Sequence, residues 1–424
     1  MVEIKPFKGL RYNKEKIKDF SLVITPPYDV ISEKEREEFS RLSEYNAVNL
    51  ILEEHAKAAK NLKEWQAKKV LNQEIQDSIY IYSQTFMHDA KEFIRVGFVS
   101  LIKLEELGKG VLPHEKTLEK PFQDRLGLLE KTRANFGFVF MLYDDRQKII
   151  DEMVKCQIKG KLPDMDFEDK FKIRHKLWKA SGKNFINALQ KEMAQHQCVI
   201  ADGHHRYKSA LRFKELHPEL EAAKYTMCCF INSFNEGLFV LPIDRFVFGL
   251  KSPDAKEILK KLKISFEIWE MQNANELIKK LDETRVMLDK TINLKNHVFG
   301  MYSYKNKKSY FLKLKNNKIL DAYYKGKTDV YKKLDINILH KIIFQDILGI
   351  TEEGQSKENC IEYTKGPKRA LDKLKEDNYQ LAFFIKPPLM REIFLTARSN
   401  ETMPQKSTYF YPKVYSGVVI NKIE

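Results

Sequence analysis

The residues Asp202-Gly203-His204-His205-Arg206 follow the apolar run Cys198-Val-Ile-Ala201 and lead into a helix-like segment that runs to about Leu216. A glycine there lets the backbone turn sharply and lets a ligand approach the main chain. The first turn of a helix carries N–H groups without acceptors and the positive end of the helix dipole. With Arg206 beside it, such a start suits a phosphate or another anion. His204 or His205 could donate to that anion, and Asp202 could hold Mg²⁺ or orient a histidine. The stretch is neither a Walker loop nor a GxGxxG fingerprint. Its plain structural alternative is a strand–turn–helix with Asp202 as the cap and two surface histidines.

Three further stretches carry chemistry-bearing groups. His114-Glu115-Lys116-Thr117 offers a carboxylate between a histidine and a lysine, with Glu115 as a general base or metal ligand. Asp29 follows the stiff Pro26-Pro27-Tyr28 and could serve as a base or Mg²⁺ ligand, or could simply cap the next helix. Arg133 could bind a phosphate or carboxylate through two parallel hydrogen bonds. The stretch 403–417 sets Lys406, Ser407, Thr408 and Lys413 among aromatic residues, so it could close over a substrate or dock as a strand.

These groups need a scaffold, and periodicity suggests one. Ser32 with Glu35 reads as a capping box that starts a short helix. Apolar spacing predicts an amphipathic helix over 56–73 and another helix over about 124–135. Residues 79–86 and 93–101 read as a hairpin, 136–143 as a buried strand, and 335–348 as a helix. A domain boundary is expected near 249–253, where Gly249 and Pro253 precede a change of rhythm.

The 424 residues favour two domains. The net charge of +15 favours an anionic partner, but the lysines are scattered along most helices and form no basic block, which makes nucleic acid an unlikely partner without excluding it. The five cysteines show no zinc or disulfide spacing. No apolar run approaches the ~20 residues that span a bilayer. The first residues carry no targeting pattern. A cytoplasmic protein with no membrane partner is therefore expected.

Six stretches, in this order, resemble a bacterial and archaeal family, domain-of-unknown-function family 1015. They are Pro26-Pro-Tyr-Asp-Val30, Pro113-His-Glu-Lys-Thr117, Thr132-Arg-Ala-Asn135, Ala201-Asp-Gly-His-His-Arg-Tyr207, Leu241-Pro-Ile-Asp-Arg245 and Met403-Pro-Gln-Lys-Ser-Thr-Tyr-Phe-Tyr-Pro-Lys413. The Asp202–Arg206 box is also similar to the phosphate-binding box of the ParB/sulfiredoxin superfamily and of free L-serine kinases. That second resemblance covers about a quarter of the chain. It implies an α+β fold whose residues 1–250 form a ParB/sulfiredoxin-like nucleotide-binding region with a β-rich insertion at about 75–195. Residues 251–424 would form a second α/β region whose tail 403–417 returns to the site.

The activity this implies is a small-molecule kinase: a nucleotide-dependent phosphotransferase using ADP or ATP with Mg²⁺ on a small hydroxylated metabolite, free L-serine first. Asp202, Gly203, His204, His205 and Arg206 would hold the nucleotide, and Asp202 the metal. Glu115, Asp29 or His205 would be catalytic, and Arg133, Lys406 and Thr117 would bind substrate. The alternatives are a non-catalytic ParB-like regulator that binds nucleotide or nucleic acid, and a hydrolase using His204 or His205 as base. No helix-turn-helix is evident after the box.

Overall fold

Val199, Ile200 and Ala201 are buried on both faces of their strand, as an uninterrupted apolar run in mid-sheet demands. In the computed structural model of the chain, which describes all residues except 252–253, 291–295, 357–359 and 377, this strand is Cys198–Asp202. It pairs in parallel with Val111–Leu112 and antiparallel with Val139–Tyr143. Val139–Tyr143 in turn lies parallel to Tyr225–Asn232. The sheet continues through Lys91–Lys103, Ile79–His88, Arg174–Ala180 and Met165–Glu168, with Ile4–Lys5 added on Lys91–Lys103. The mixture of parallel and antiparallel pairs, with helices between them, makes this an α+β protein.

The chain divides into two units. The first comprises Met1–Pro113, Thr117–Phe239 and Pro412–Glu424, and the second His114–Lys116 and Val240–Tyr411. Pro253, used above as a boundary marker, lies outside the described residues. In the first unit, helix His204–Leu216 buries Tyr207, Ala210 and Phe213, one face at spacing of three. The Tyr207 hydroxyl donates to Glu105 O at 2.9 Å, and Ser209 Oγ donates to Phe122 O at 3.0 Å. These bonds lock the helix start against its neighbours.

The last residues are woven into this unit. Ser416 N–H donates to Thr25 O at 2.8 Å, Gly417 N–H to Phe136 O at 2.9 Å and Ile420 N–H to Leu10 O at 2.9 Å. Gln84 Nε2 donates to Lys413 O at 2.8 Å, and Arg95 donates to Pro412 O. Tyr415 adds its hydroxyl to a buried chain in which Asp169 meets His175 and His175 meets Tyr82.

The second unit is built on a six-stranded antiparallel sheet, in the order Phe266–Met271, Lys308–Leu314, Val298–Ser303, Leu381–Ile385, Ile243–Val247, Ile361–Lys365. Phe246, Leu277, Val298, Ala382 and Phe384 form part of its core.

Two sequence expectations need correction. The helix read over 56–73 is His55–Ala67, because Leu71–Gln73 is taken up in pairing with Leu10–Tyr12. The helix read over 124–135 is Glu119–Thr132. It stops where Arg133 adopts φ +46°, and Ala134–Asn135 then pairs with Asn421–Lys422.

Candidate functional site

Gly203 sits at φ +88°, a conformation open to glycine at little cost, and begins helix His204–Leu216 without any side-chain cap. Tyr207 N–H closes the first turn on Gly203 O at 3.0 Å. The amides ahead of it belong to the group that an α-helix leaves without intrahelical acceptors. A side chain at 203 would also collide, since a Cβ there would lie 2.9 Å from Arg206 Nε.

Arg206 folds back over this turn. Its Nη2 meets Asp202 Oδ2 at 3.2 Å and its Nη1 donates to Phe138 O. Its buried Nε has no hydrogen-bond partner. Gly137 lets the chain pass close by, because a Cβ there would lie 3.3 Å from Arg206 Nη1 and 2.8 Å from Ser416 Oγ. Lys413, delivered by the C-terminal segment, places its Nζ 3.3 Å from the same Asp202 oxygen. Burial alone would raise the Asp202 pKa. Lys413 and Arg206 outweigh it and hold the carboxyl well below the usual carboxylate range. Two cations thus share one carboxylate at a helix start that already favours anions.

His205 accepts a hydrogen bond from Leu118 N–H at Nε2, 2.8 Å away. That nitrogen is therefore unprotonated, and burial pushes the imidazole pKa down against the pull of Asp29 and Asp202. His205 holds the 117–118 segment in place, which puts Thr117 next to the box. His204 contributes its field to Asp202. Asp29 is exposed on the 3₁₀ turn Tyr28–Val30, which follows Pro27 in extended conformation. Arg125 stacks on the Tyr28 ring at 4.1 Å and donates to Ile51 O at 2.8 Å. Tyr28, Arg125, Asn135, Arg206 and Ser416 line a cavity of about 60 Å³. At roughly 10–15 Å³ per water, such a space takes a few waters or one phosphate-sized group.

The other candidates fall elsewhere. Arg133 is exposed at its helix end, and the guanidinium lining the cavity beside Arg206 is that of Arg125. Glu115 and Lys406 meet each other in the second unit, where Glu115 Oε1 accepts from Lys406 N–H at 3.0 Å. His114 Nε2 lies 2.9 Å from Thr408 Oγ1 in the same unit. Lys413, which completes the Asp202 cluster, was visible in the sequence only as one lysine of the 403–417 stretch. Arg125 and Tyr28 carried no signal that they would stack.

Among the described residues no group of three or more His, Cys, Asp or Glu could hold a metal ion. Asp202 already carries two cations. These residues do not make a protein-built Mg²⁺ site. No described helix is long and apolar enough to cross a membrane.

Fold and site together define an α+β protein with a cationic cradle at a helix start. Residues 4–337 match the family described as Protein of unknown function (DUF1015), and the chain belongs to that family. No curated protein matches it. Among solved structures, it is similar to a conserved hypothetical protein from Pyrococcus furiosus, at 14% identity over 74% of this chain and 92% of that one, with a TM-score of 0.35. A free serine kinase variant in complex with AMP shares 14% identity over 74% and 87%, with a TM-score of 0.37. SbnI with a C-terminal truncation, from Staphylococcus aureus, shares 10% over 75% and 85%, at 0.36. Likenesses this distant leave the functional argument to the residues of this chain.

Proposed function

We propose that the first unit binds the phosphates of ADP or ATP at Asp202–Arg206 and that the chain transfers a phosphoryl group to a small hydroxylated metabolite, free L-serine being the first to try. The observation that carries the reading is the pair of cations gathered at the uncapped helix start, where Arg206 and Lys413 share Asp202. The nucleotide and the acceptor come from the resemblance of the Asp202–Arg206 box to that of free L-serine kinases. On this reading the strand, glycine turn and helix are a ParB/sulfiredoxin-like core.

In the proposed reaction the acceptor hydroxyl attacks the terminal phosphorus, a carboxylate takes its proton, and the shortened nucleotide leaves. Such chemistry asks mostly for positioning and charge neutralisation. Arg206, Lys413 and the helix amides would neutralise the phosphates. Asp202 would anchor the two cations, and any Mg²⁺ would be held chiefly by the nucleotide's own oxygens. Asp29 is the carboxylate base on offer in the first unit, and Thr117 a group for the acceptor.

Arg206→Ala tests the cradle. Losing hydrogen bonds to a charged partner costs about 1.5–3 kcal/mol, or roughly 10–100-fold in nucleotide affinity by calorimetry. Unchanged binding of both ADP and ATP would sink the reading. Asp29→Asn, assayed for phosphoserine formation, tests the base: it should abolish transfer and spare nucleotide binding. Tight nucleotide binding with no transfer to any hydroxylated acceptor would leave a nucleotide-binding regulator in place of a kinase.

A further inference from the structure

The second unit carries an open pocket of about 190 Å³ that the proposed phosphotransfer does not use. Its wall includes His340, Lys341 and Gln345 from the π-helix Leu339–Ile347, and Asn337 from the turn before it. The widened helix is confirmed by i→i−5 bonds such as Leu348 N–H to Ile343 O at 3.0 Å. Such turns are uncommon and concentrate at functional sites.

Two buried polar atoms on this wall's residues lack hydrogen-bond partners, Asn337 Oδ1 and His340 Nε2. The Asn337 amide is fixed, because its Nδ2 donates to Tyr331 O at 2.7 Å and its main-chain oxygen accepts from the Tyr324 hydroxyl at 2.7 Å. Its side-chain oxygen can therefore only accept. His340 is 8% exposed. Burial, and then Arg245, push its pKa well below the ordinary histidine value, so it meets a ligand as a neutral ring. Each unsatisfied buried group carries a desolvation cost that a ligand removes. Residues 337 and 340 are three apart and share a face.

The charges on the wall are equally specific. Lys116 is paired with Glu352 at 3.1 Å. Lys341 gives its Nζ to the neutral Gln345 Oε1 at 2.8 Å, which leaves its positive charge uncompensated. We infer that this cavity binds a small α-hydroxy or α-amino carboxylate, with the carboxylate on Lys341 and the hydroxyl or ammonium donating to Asn337 Oδ1. The neutral His340 adds a hydrogen bond without adding charge. The inference stands independently of the phosphotransfer reading.

The test is calorimetry on the full chain without nucleotide or metal. The probes are L-lactate and L-alanine, with propionate lacking the donor and ethylamine lacking the carboxylate. L-lactate or L-alanine should bind, and the matching truncated probe should bind at least tenfold more weakly, a difference of about 1.4 kcal/mol. Lys341→Met, at a half-buried position, should weaken binding by a similar factor with an unchanged melting temperature. Asn337→Leu should weaken it too. No heat from either acid up to about 10 mM would overturn the inference. Equal binding of the truncated probes, or binding indifferent to Lys341→Met, would do the same. Because nucleotide is absent, none of these outcomes bears on the Arg206 cradle.

Discussion

Each unit of this protein sets an aspartate next to an arginine, and the two pairs behave in opposite ways. In the first unit Asp202 is held by Arg206 and Lys413, and its carboxyl stays ionised far into acid. In the second unit Asp244 is 2% exposed, and burial raises its pKa to about 7 against a hydrogen bond donated by Ile385 N–H to its Oδ1 at 3.2 Å and the charge of Arg245. Arg245 spends its donors on main-chain oxygens, Ile243 O and Lys406 O, and burial lowers its pKa to about 10. Proximity of an arginine does not settle the state of a buried acid. What settles it is whether the cation's donors reach the carboxylate, and whether a second cation joins.

The comparison breaks most sharply at Asp202. Asp202→Asn leaves Arg206 and Lys413 facing each other without their shared counter-charge. Removing one partner of a buried ion pair costs about 3–5 kcal/mol, and that loss should appear in urea unfolding at pH 7. The pH window also follows. The Asp202 pKa is lower folded than unfolded, so its stabilisation is present above the unfolded value near ~3.9 and is lost as pH falls through the folded value. Wild type should therefore lose more stability below about pH 4 than the variant does. Equal stability of the two proteins at pH 7 would mean that the cations are solvated and the cradle is not built as described.

Asp244 should respond with the opposite sign. Its folded pKa lies above the unfolded one, so the folded state binds the extra proton between about pH 4 and 7, and stability falls as pH rises through that window. Asp244→Asn mimics the protonated acid. Three pH units cap the gain at ~4 kcal/mol, and the new amide hydrogens, if unpaired, take back about 1–3. The variant should melt higher than wild type at pH 8 and differ little near pH 4. A variant that melts lower at pH 8 would show that the Asp244 charge is compensated after all.

The two units also differ in how legible they were. The strand Cys198–Asp202 and helix His204–Leu216 were readable because an unbroken apolar run, a glycine and a periodic face are local signals. The Ser32–Glu35 capping box was readable for the same reason, and it is present. The hairpin strands read at 79–86 and 93–101 are Ile79–His88 and Lys91–Lys103. In the second unit, helical spacing from 335 onward gave no warning that Leu339–Ile347 would widen into a π-helix. Partners joined only by tertiary structure were invisible throughout. Nothing local says that Lys413 will close on Asp202 or that Arg125 will lie on Tyr28, because those pairings depend on where the C-terminal segment and the Glu119–Thr132 helix pack.

The smallest predicted effect tests whether the first unit's cradle is set by backbone shape as well as by charge. Gly203→Ala changes no charge and removes no hydrogen bond. It places a methyl group at φ +88°, where an L-residue pays about 1–2 kcal/mol, and sets that methyl 2.9 Å from Arg206 Nε. Arg206 must shift, and its reach to Asp202 lengthens. The expected result is a loss of about 1–2 kcal/mol in stability together with weaker nucleotide binding, read by urea unfolding and by calorimetry. If alanine costs stability and leaves nucleotide affinity untouched, the glycine serves only the turn, and the charge pair alone makes the site. If it lowers affinity as much as Arg206→Ala does, the position of the guanidinium matters as much as its presence.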